Sequence, residues 1–94
     1  MAFLEHDGIR FHYDITGDGP ALVFAHGLTG NMENARELIG TVPGYRQVFW
    51  DARGHGKTSP AGPINGFTFD VFARDLAALL DRLEIRRAVV GGIS

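Results

Sequence analysis

The run Ala21-Leu22-Val23-Phe24-Ala25, with Gly17-Asp18-Gly19-Pro20 before it and His26-Gly27-Leu28-Thr29-Gly30 after it, limits the possible folds most. Five consecutive apolar residues between turn residues show no alternation, which is the pattern of a strand buried on both faces. Such a strand needs a covering layer on each side, and two amphipathic stretches can supply them. Asn31 can cap a helix whose apolar positions Met32, Ala35, Ile39 and Val42 recur at helical spacing, ending at Pro43-Gly44. Phe69, Phe72, Ala73, Leu76, Leu80 and Leu83 form one stripe of a second helix, with Arg74, Asp75, Asp81 and Arg82 largely outside it. Thr68 is its expected N-cap, Asp70 sits in its first turn, and Phe67 can staple onto Phe72.

The remaining segments read as strands. Residues 3–6 and 9–16 are extended stretches joined by Asp7-Gly8, a hairpin signal because both turn positions need positive φ. Residues 45–50 and 87–90 are two further strands, and residues 51–63 between them form a long Gly- and Pro-rich loop. The order is hairpin, strand, helix, strand, helix, strand. The last three strands are separated by crossovers that force parallel pairing, so the expected fold is an α/β sheet with helices on its faces. No internal repeat or charge block divides the chain, and we read it as one unit.

Composition excludes several classes of function. Nine Lys and Arg against eleven Asp and Glu give a formal charge of −2, which attracts neither nucleic acid nor an anionic membrane. The 94 residues contain no Cys, so disulfides, thiolate metal sites and cysteine nucleophiles are excluded together. No apolar run approaches the ~20 residues that span a bilayer, and the first residues lack the layout of a signal peptide. The expected setting is the cytoplasm. The histidines at 6, 12, 26 and 55 show no metal-ligand spacing, and we read them as surface or loop residues with no metal. Gly56-Lys57-Thr58 invites a phosphate-loop reading, but Asp51 occupies the place of the first Gly and a Pro-rich segment follows instead of a helix. Gly91-Gly92 lacks the third Gly of a dinucleotide fingerprint.

Three segments at the ends of successive strands can carry chemistry. Gly92-Ile93-Ser94 is the first half of a Gly-x-Ser-x-Gly nucleophile elbow, in which a sharp turn holds the Ser hydroxyl clear of the sheet. The loop at residues 26–30 can aim backbone N–H groups at a developing oxyanion. The third is Asp51-Ala52-Arg53-Gly54-His55-Gly56-Lys57-Thr58-Ser59. Each alone reads as a turn; together they form an ordered set.

Read together, these segments resemble the α/β-hydrolase family over nearly the whole chain. The likeness takes in the opening hairpin, Val23-Phe24-Ala25-His26-Gly27 as oxyanion strand and loop, and Asp51-x-Arg53-Gly54-x-Gly56-x-x-Ser59 after the fourth strand. It continues through the helix at residues 69–83 to Val89-Val90-Gly91-Gly92-Ile93-Ser94. The helix and elbow look most like the enol-lactonase and small-ester hydrolase branch, whose members act on esters, lactones or activated carbon–carbon bonds without a cofactor. The resemblance implies that Ser94 is the nucleophile and that the backbone N–H of Leu28 is one oxyanion-hole donor, with His26 and Gly27 forming the oxyanion loop. It implies that Asp51 and Arg53 order their own loop, and that His55 occupies a variable position. The second donor, the acid and the base His fall after Ser94 in the family's order. Epoxide hydrolases and dehalogenases of the family carry Asp at the elbow, and Ser94 argues against both.

The expected whole is therefore a serine hydrolase with a small-molecule ester or lactone substrate, of which residues 1–94 form the N-terminal part of a single domain, up to about the fifth of eight strands. A complementary C-terminal segment or second chain of the same protein would add the later strands, the substrate-covering cap, the acid and the His. Residues 1–94 by themselves are expected to be inactive, with an apolar strand left at the sheet edge. Association into a homo-oligomer stays open. The alternative is a hydrolase-like module that binds a ligand without catalysis, since such receptors keep the same loops.

Overall fold

The computed structural model describes residues 2–93. Asp7 and Gly8 take φ of 54° and 74° and close the antiparallel pair of β1 (Ala2–His6) and β2 (Ile9–Thr16), with His6 opposite Ile9. β3 (Ala21–Ala25) and β4 (Arg46–Trp50) run parallel, with Val23 opposite Val48. β5 (Ala88–Gly92) lies parallel on the other side of β3, with Gly92 opposite Ala25. Because β2 pairs antiparallel with β4, the five strands stand in the order β1-β2-β4-β3-β5. The fold class is as read from the sequence: an antiparallel hairpin, then parallel strands with flanking helices.

The two crossover helices cover opposite faces. α1 (Met32–Ile39) sets Met32 and Ala35 against Phe24 and Phe49, while Leu79 of α2 (Phe69–Arg82) joins Val23, Val48 and Trp50 on the other side. Successive residues of β3 and β4 therefore serve different layers, which is why their apolar runs do not alternate. Both caps form: Asn31 Oδ1 accepts the Asn34 N–H at 3.0 Å, and Thr68 Oγ1 accepts the Val71 N–H at 3.2 Å. Phe67 meets Phe72 edge-on with ring centroids 6.1 Å apart, completing the staple. Val89 and Val90 are more than half exposed on β5, which is an outer strand of the described sheet. No helix among the described residues is long and apolar enough to cross a membrane.

Two helix details differ from the sequence reading. α1 ends at Ile39 and not near Val42, because Gly40 takes φ of 69° and donates its N–H to the Arg36 carbonyl at 2.9 Å. Buried Gln47 then replaces the missing helical bonds, donating to the Gly40 carbonyl at 2.9 Å and accepting the Val42 N–H at 3.0 Å. Asp75 does not lie outside the core-facing stripe of α2: it is 2% exposed, whereas Phe69 within the stripe is 92% exposed. The reason is Arg53, itself 2% exposed, whose Nε and Nη2 each donate to an Asp75 carboxylate oxygen at 2.9 Å. Arg53 Nη2 also donates to Asp7 Oδ2 at 3.0 Å, so one guanidinium joins the hairpin turn, the loop after β4 and α2. Hydrogen bonding to the Asp75 carboxylate raises the Arg53 pKa above its already high value, so the guanidinium is charged at any physiological pH.

Removing one partner of such a pair strands a buried charge. Asp75→Ala is expected to cost about 3 kcal/mol in urea unfolding, the lower end of the usual range because Asp7 still faces Arg53. The double variant Arg53→Met, Asp75→Leu should be less destabilised than Asp75→Ala alone; a larger loss would contradict this account.

Candidate active site

The carboxyl ends of β3, β4 and β5 open onto a hollow of about 500 Å³. β3 contributes Ala25 and the loop after it His26, Gly27 and Leu28; Trp50, Ala52 and His55 come from β4 and its loop, Phe69 and Phe72 from α2, and Ile93 from the end of β5. It lies beside β3, from which the chain runs to β4 on one side before crossing back to β5 on the other, and outside the carboxyl ends of the strands, the usual place for a site in an open α/β sheet. Apart from the two histidines its lining is apolar, with no Lys, Arg, Asp or Glu. A second hollow at the far end of α2, lined by Asp81, Glu84, Ile85 and Arg86, touches none of these loops.

Asp51 is 2% exposed and organises the loop that follows β4. Its Oδ1 accepts the Met32 N–H at 2.8 Å, and its Oδ2 accepts from His12 Nδ1 at 2.7 Å and from the Lys57 N–H at 3.1 Å. Met32 is the first residue of α1, where orphan N–H groups and the helix dipole favour an anion. Thr58 completes the ring, donating Oγ1–H to the Asp51 carbonyl at 2.7 Å and accepting the His12 N–H at 3.0 Å. Gly56 follows from the same crowding: it has φ of 52°, and a Cβ there would run into the Asp51 carboxylate.

His12 overturns the reading of all four histidines as surface or loop groups. It is 1% exposed in β2, and its pairing with Asp51 resembles a catalytic Asp–His couple. The ring does not line the hollow; it packs against Phe3, with centroids 4.9 Å apart, and its Nε2 is buried without a hydrogen-bond partner among the described residues. The couple is therefore part of the scaffold. Its sequence signal was slight, a single polar residue between Phe11 and Tyr13 in a strand that otherwise looked half-buried.

The two histidines at the hollow are both engaged by backbone. The Ala52 N–H can only donate, so His26 Nε2, 2.9 Å away, carries a lone pair, and the ring proton sits on Nδ1, which donates to the Gly27 carbonyl at 2.8 Å. His55 stands against His26, ring centroids 4.8 Å apart, with Nε2 at 2.6 Å from the Leu28 carbonyl and Nδ1 at 2.9 Å from the Arg53 carbonyl. A neutral ring has one N–H for these two carbonyls and a protonated ring has two. The Gly27 carbonyl also accepts the Gly30 N–H at 2.9 Å, whereas the Leu28 N–H meets no acceptor among the described residues.

Of the residues singled out in the sequence, His26, Gly27 and Leu28 meet at the hollow, and Asp51 and Arg53 lie behind it, buried. Ser94 lies outside the described residues. Its neighbour Ile93 lines the hollow and donates its N–H to the Ala25 carbonyl at 3.1 Å, which anchors the end of β5 beside the loop at residues 26–30. No group of His, Asp and Glu among the described residues could hold a metal ion.

Comparison with known proteins agrees with this arrangement. The chain is 38% identical over 82 residues to a non-heme chloroperoxidase of Kitasatospora aureofaciens, covering 85% of this chain and 29% of the relative. Its structure superposes on an epoxide hydrolase of Vigna radiata with a TM-score of 0.85 at 30% identity, over 97% of this chain and 30% of that one. The N-acyl homoserine lactone degrading enzyme Est816 gives a TM-score of 0.80 at 32% identity, over 95% of this chain and 34% of that one. The chain thus spans about a third of the length of the proteins it matches. The family model for the alpha/beta hydrolase fold matches residues 20–94, which takes in both loops at the hollow and all of the parallel strands, and the chain belongs to that family.

Proposed function

We propose that residues 1–94 are the nucleophile-bearing part of a serine hydrolase acting on a carboxylic ester, a lactone or an activated carbon–carbon bond through an acyl-serine intermediate. In this reading the Ser94 hydroxyl attacks the substrate carbonyl, and its proton passes to a base His supplied from beyond residue 94. The carbonyl oxygen takes on negative charge and accepts the Leu28 N–H, a contact worth about 2.7–4 kcal/mol where such donors have been removed. Collapse expels the leaving group with that proton, and water then attacks the acyl-serine to release the acid and restore the hydroxyl. Asp51 and Arg53 act behind the site, ordering the loop.

The observation that carries the reading is the register of β5: Gly92 faces Ala25 and Ile93 is bonded to the Ala25 carbonyl, so the residue preceding Ser94 borders the oxyanion loop. The apolar lining suits an uncharged substrate, and similarity to a lactone-degrading enzyme supports a carbonyl substrate. The epoxide hydrolase likeness supports the fold, while Ser at position 94 favours acyl transfer over the Asp-dependent chemistry of that branch.

A fluorophosphonate probe should label the complete protein at Ser94, and Ser94→Ala should abolish labelling while lowering turnover of short-chain aryl esters by about 10⁴-fold or more. An unlabelled protein that still binds small apolar ligands would instead be a receptor using the same fold. Asp51→Ala is expected to lower stability by about 3 kcal/mol in denaturant unfolding, since it leaves the Met32 and Lys57 N–H groups without their carboxylate, and to lower turnover only together with that loss of stability. Loss of turnover in a fully stable Asp51→Ala protein would give Asp51 a direct part in the chemistry.

A further inference from the structure

We propose that His55 is a positioning residue for the oxyanion donor, fixing Leu28 from the opposite loop through its Nε2–H bond to the Leu28 carbonyl. The proposal rests on the serine hydrolase reading above. Leu28 sits between two peptide units, and each has its own anchor. The first unit carries the Gly27 carbonyl and the Leu28 N–H, which point in opposite directions across a planar trans bond. It is held at the carbonyl by His26 Nδ1 at 2.8 Å and by the Gly30 N–H at 2.9 Å. The second unit carries the Leu28 carbonyl and the Thr29 N–H. Among the described residues its anchor is His55 Nε2 at 2.6 Å.

The second unit is the central peptide of the turn that the Gly30 N–H closes on the Gly27 carbonyl, and among the described residues His55 is the side chain that holds it from outside that turn. Residues 26–31 belong to neither helix nor strand, and Leu28, in the turn, is 79% exposed. The His26 and Gly30 bonds hold the first unit at its carbonyl alone, so a tilt of the turn about that point carries the Leu28 N–H with it, and the His55 bond on the next unit opposes the tilt. His55 is well placed to resist this. Its ring rests on His26, and in the chain it follows two residues after Arg53, which Asp75 and Asp7 pin. A rigid core ion pair thus reaches the donor through one imidazole.

The test compares His55→Phe, which keeps a ring of similar size without a donor, and His55→Gln, which keeps an N–H of similar reach, in the complete protein. His55→Phe should lower kcat about tenfold with KM within about twofold, because a donor that acts in the transition state is disturbed and the apolar hollow is not. His55→Gln should recover most of the loss. ¹⁵N order parameters at Leu28 and Thr29 should fall in His55→Phe and return in His55→Gln. Wild-type kcat and unchanged order parameters in His55→Phe would overturn the proposal, as would failure of His55→Gln to recover either. Full turnover in Ser94→Ala would instead overturn the serine reading and with it the catalytic part of the proposal, while the order parameters would still decide whether His55 holds Leu28.

Discussion

The site side of the molecule depends on the Asp51 carboxylate. It is buried, and its oxygens accept from the first N–H of α1, from His12 in β2 and from Lys57 in its own loop. A buried carboxylate is costly unless its lone pairs are filled by good donors, and here three converge on it, one of them at a helix N-terminus. The same bonds fix the entry of the chain into α1, and so the far end of the loop that begins at His26. Both loops at the hollow are thereby referred to one atom group at the end of β4.

Arg53 does for the other face what Asp51 does for the first. Its forked geometry suits the bidentate contact with Asp75, and the same guanidinium reaches Asp7 in the hairpin turn. A buried pair of this kind adds little net stability over apolar packing of the same volume. What it confers is position: α2 is held in register against the loop, and the exposed Phe69 and the half-buried Phe72 are brought to the rim of the hollow. Two charged groups two residues apart in sequence therefore order opposite layers of one site.

The strands, both caps, the staple and the parallel pairing were legible because each rests on local rules: unbroken apolar runs, Asp-Gly at a turn, Asn and Thr before a helix. The end of α1 was misplaced because Val42 continues the helical spacing, while the decisive facts were Gly40 and a distant side chain, Gln47. Asp75 and His12 were misjudged for a related reason. A charged or polar residue is assigned to solvent unless its partner is known, and their partners, Arg53 and Asp51, lie 22 and 39 residues away in the chain. Among the site residues, the loop at 26–30 was recognisable from its glycines after a buried strand, but the contact of His55 with Leu28 spans 27 residues and leaves no local pattern.

The histidines show how far residues 2–93 can carry the chemistry. A general base for a serine needs a lone pair directed at the nucleophile. His26 spends its lone pair on the Ala52 N–H, His55 faces carbonyls with both nitrogens, and His12 is sealed in the core beside Phe3. His6 lies 3.5 Å from the buried Asp75, away from the hollow. Freeing His26 for catalysis would undo the bond that orients the Gly27–Leu28 peptide, so the group that could take a proton is the one that must not. These residues are suited to hold an oxyanion donor still, and none of their imidazoles directs a free lone pair into the hollow.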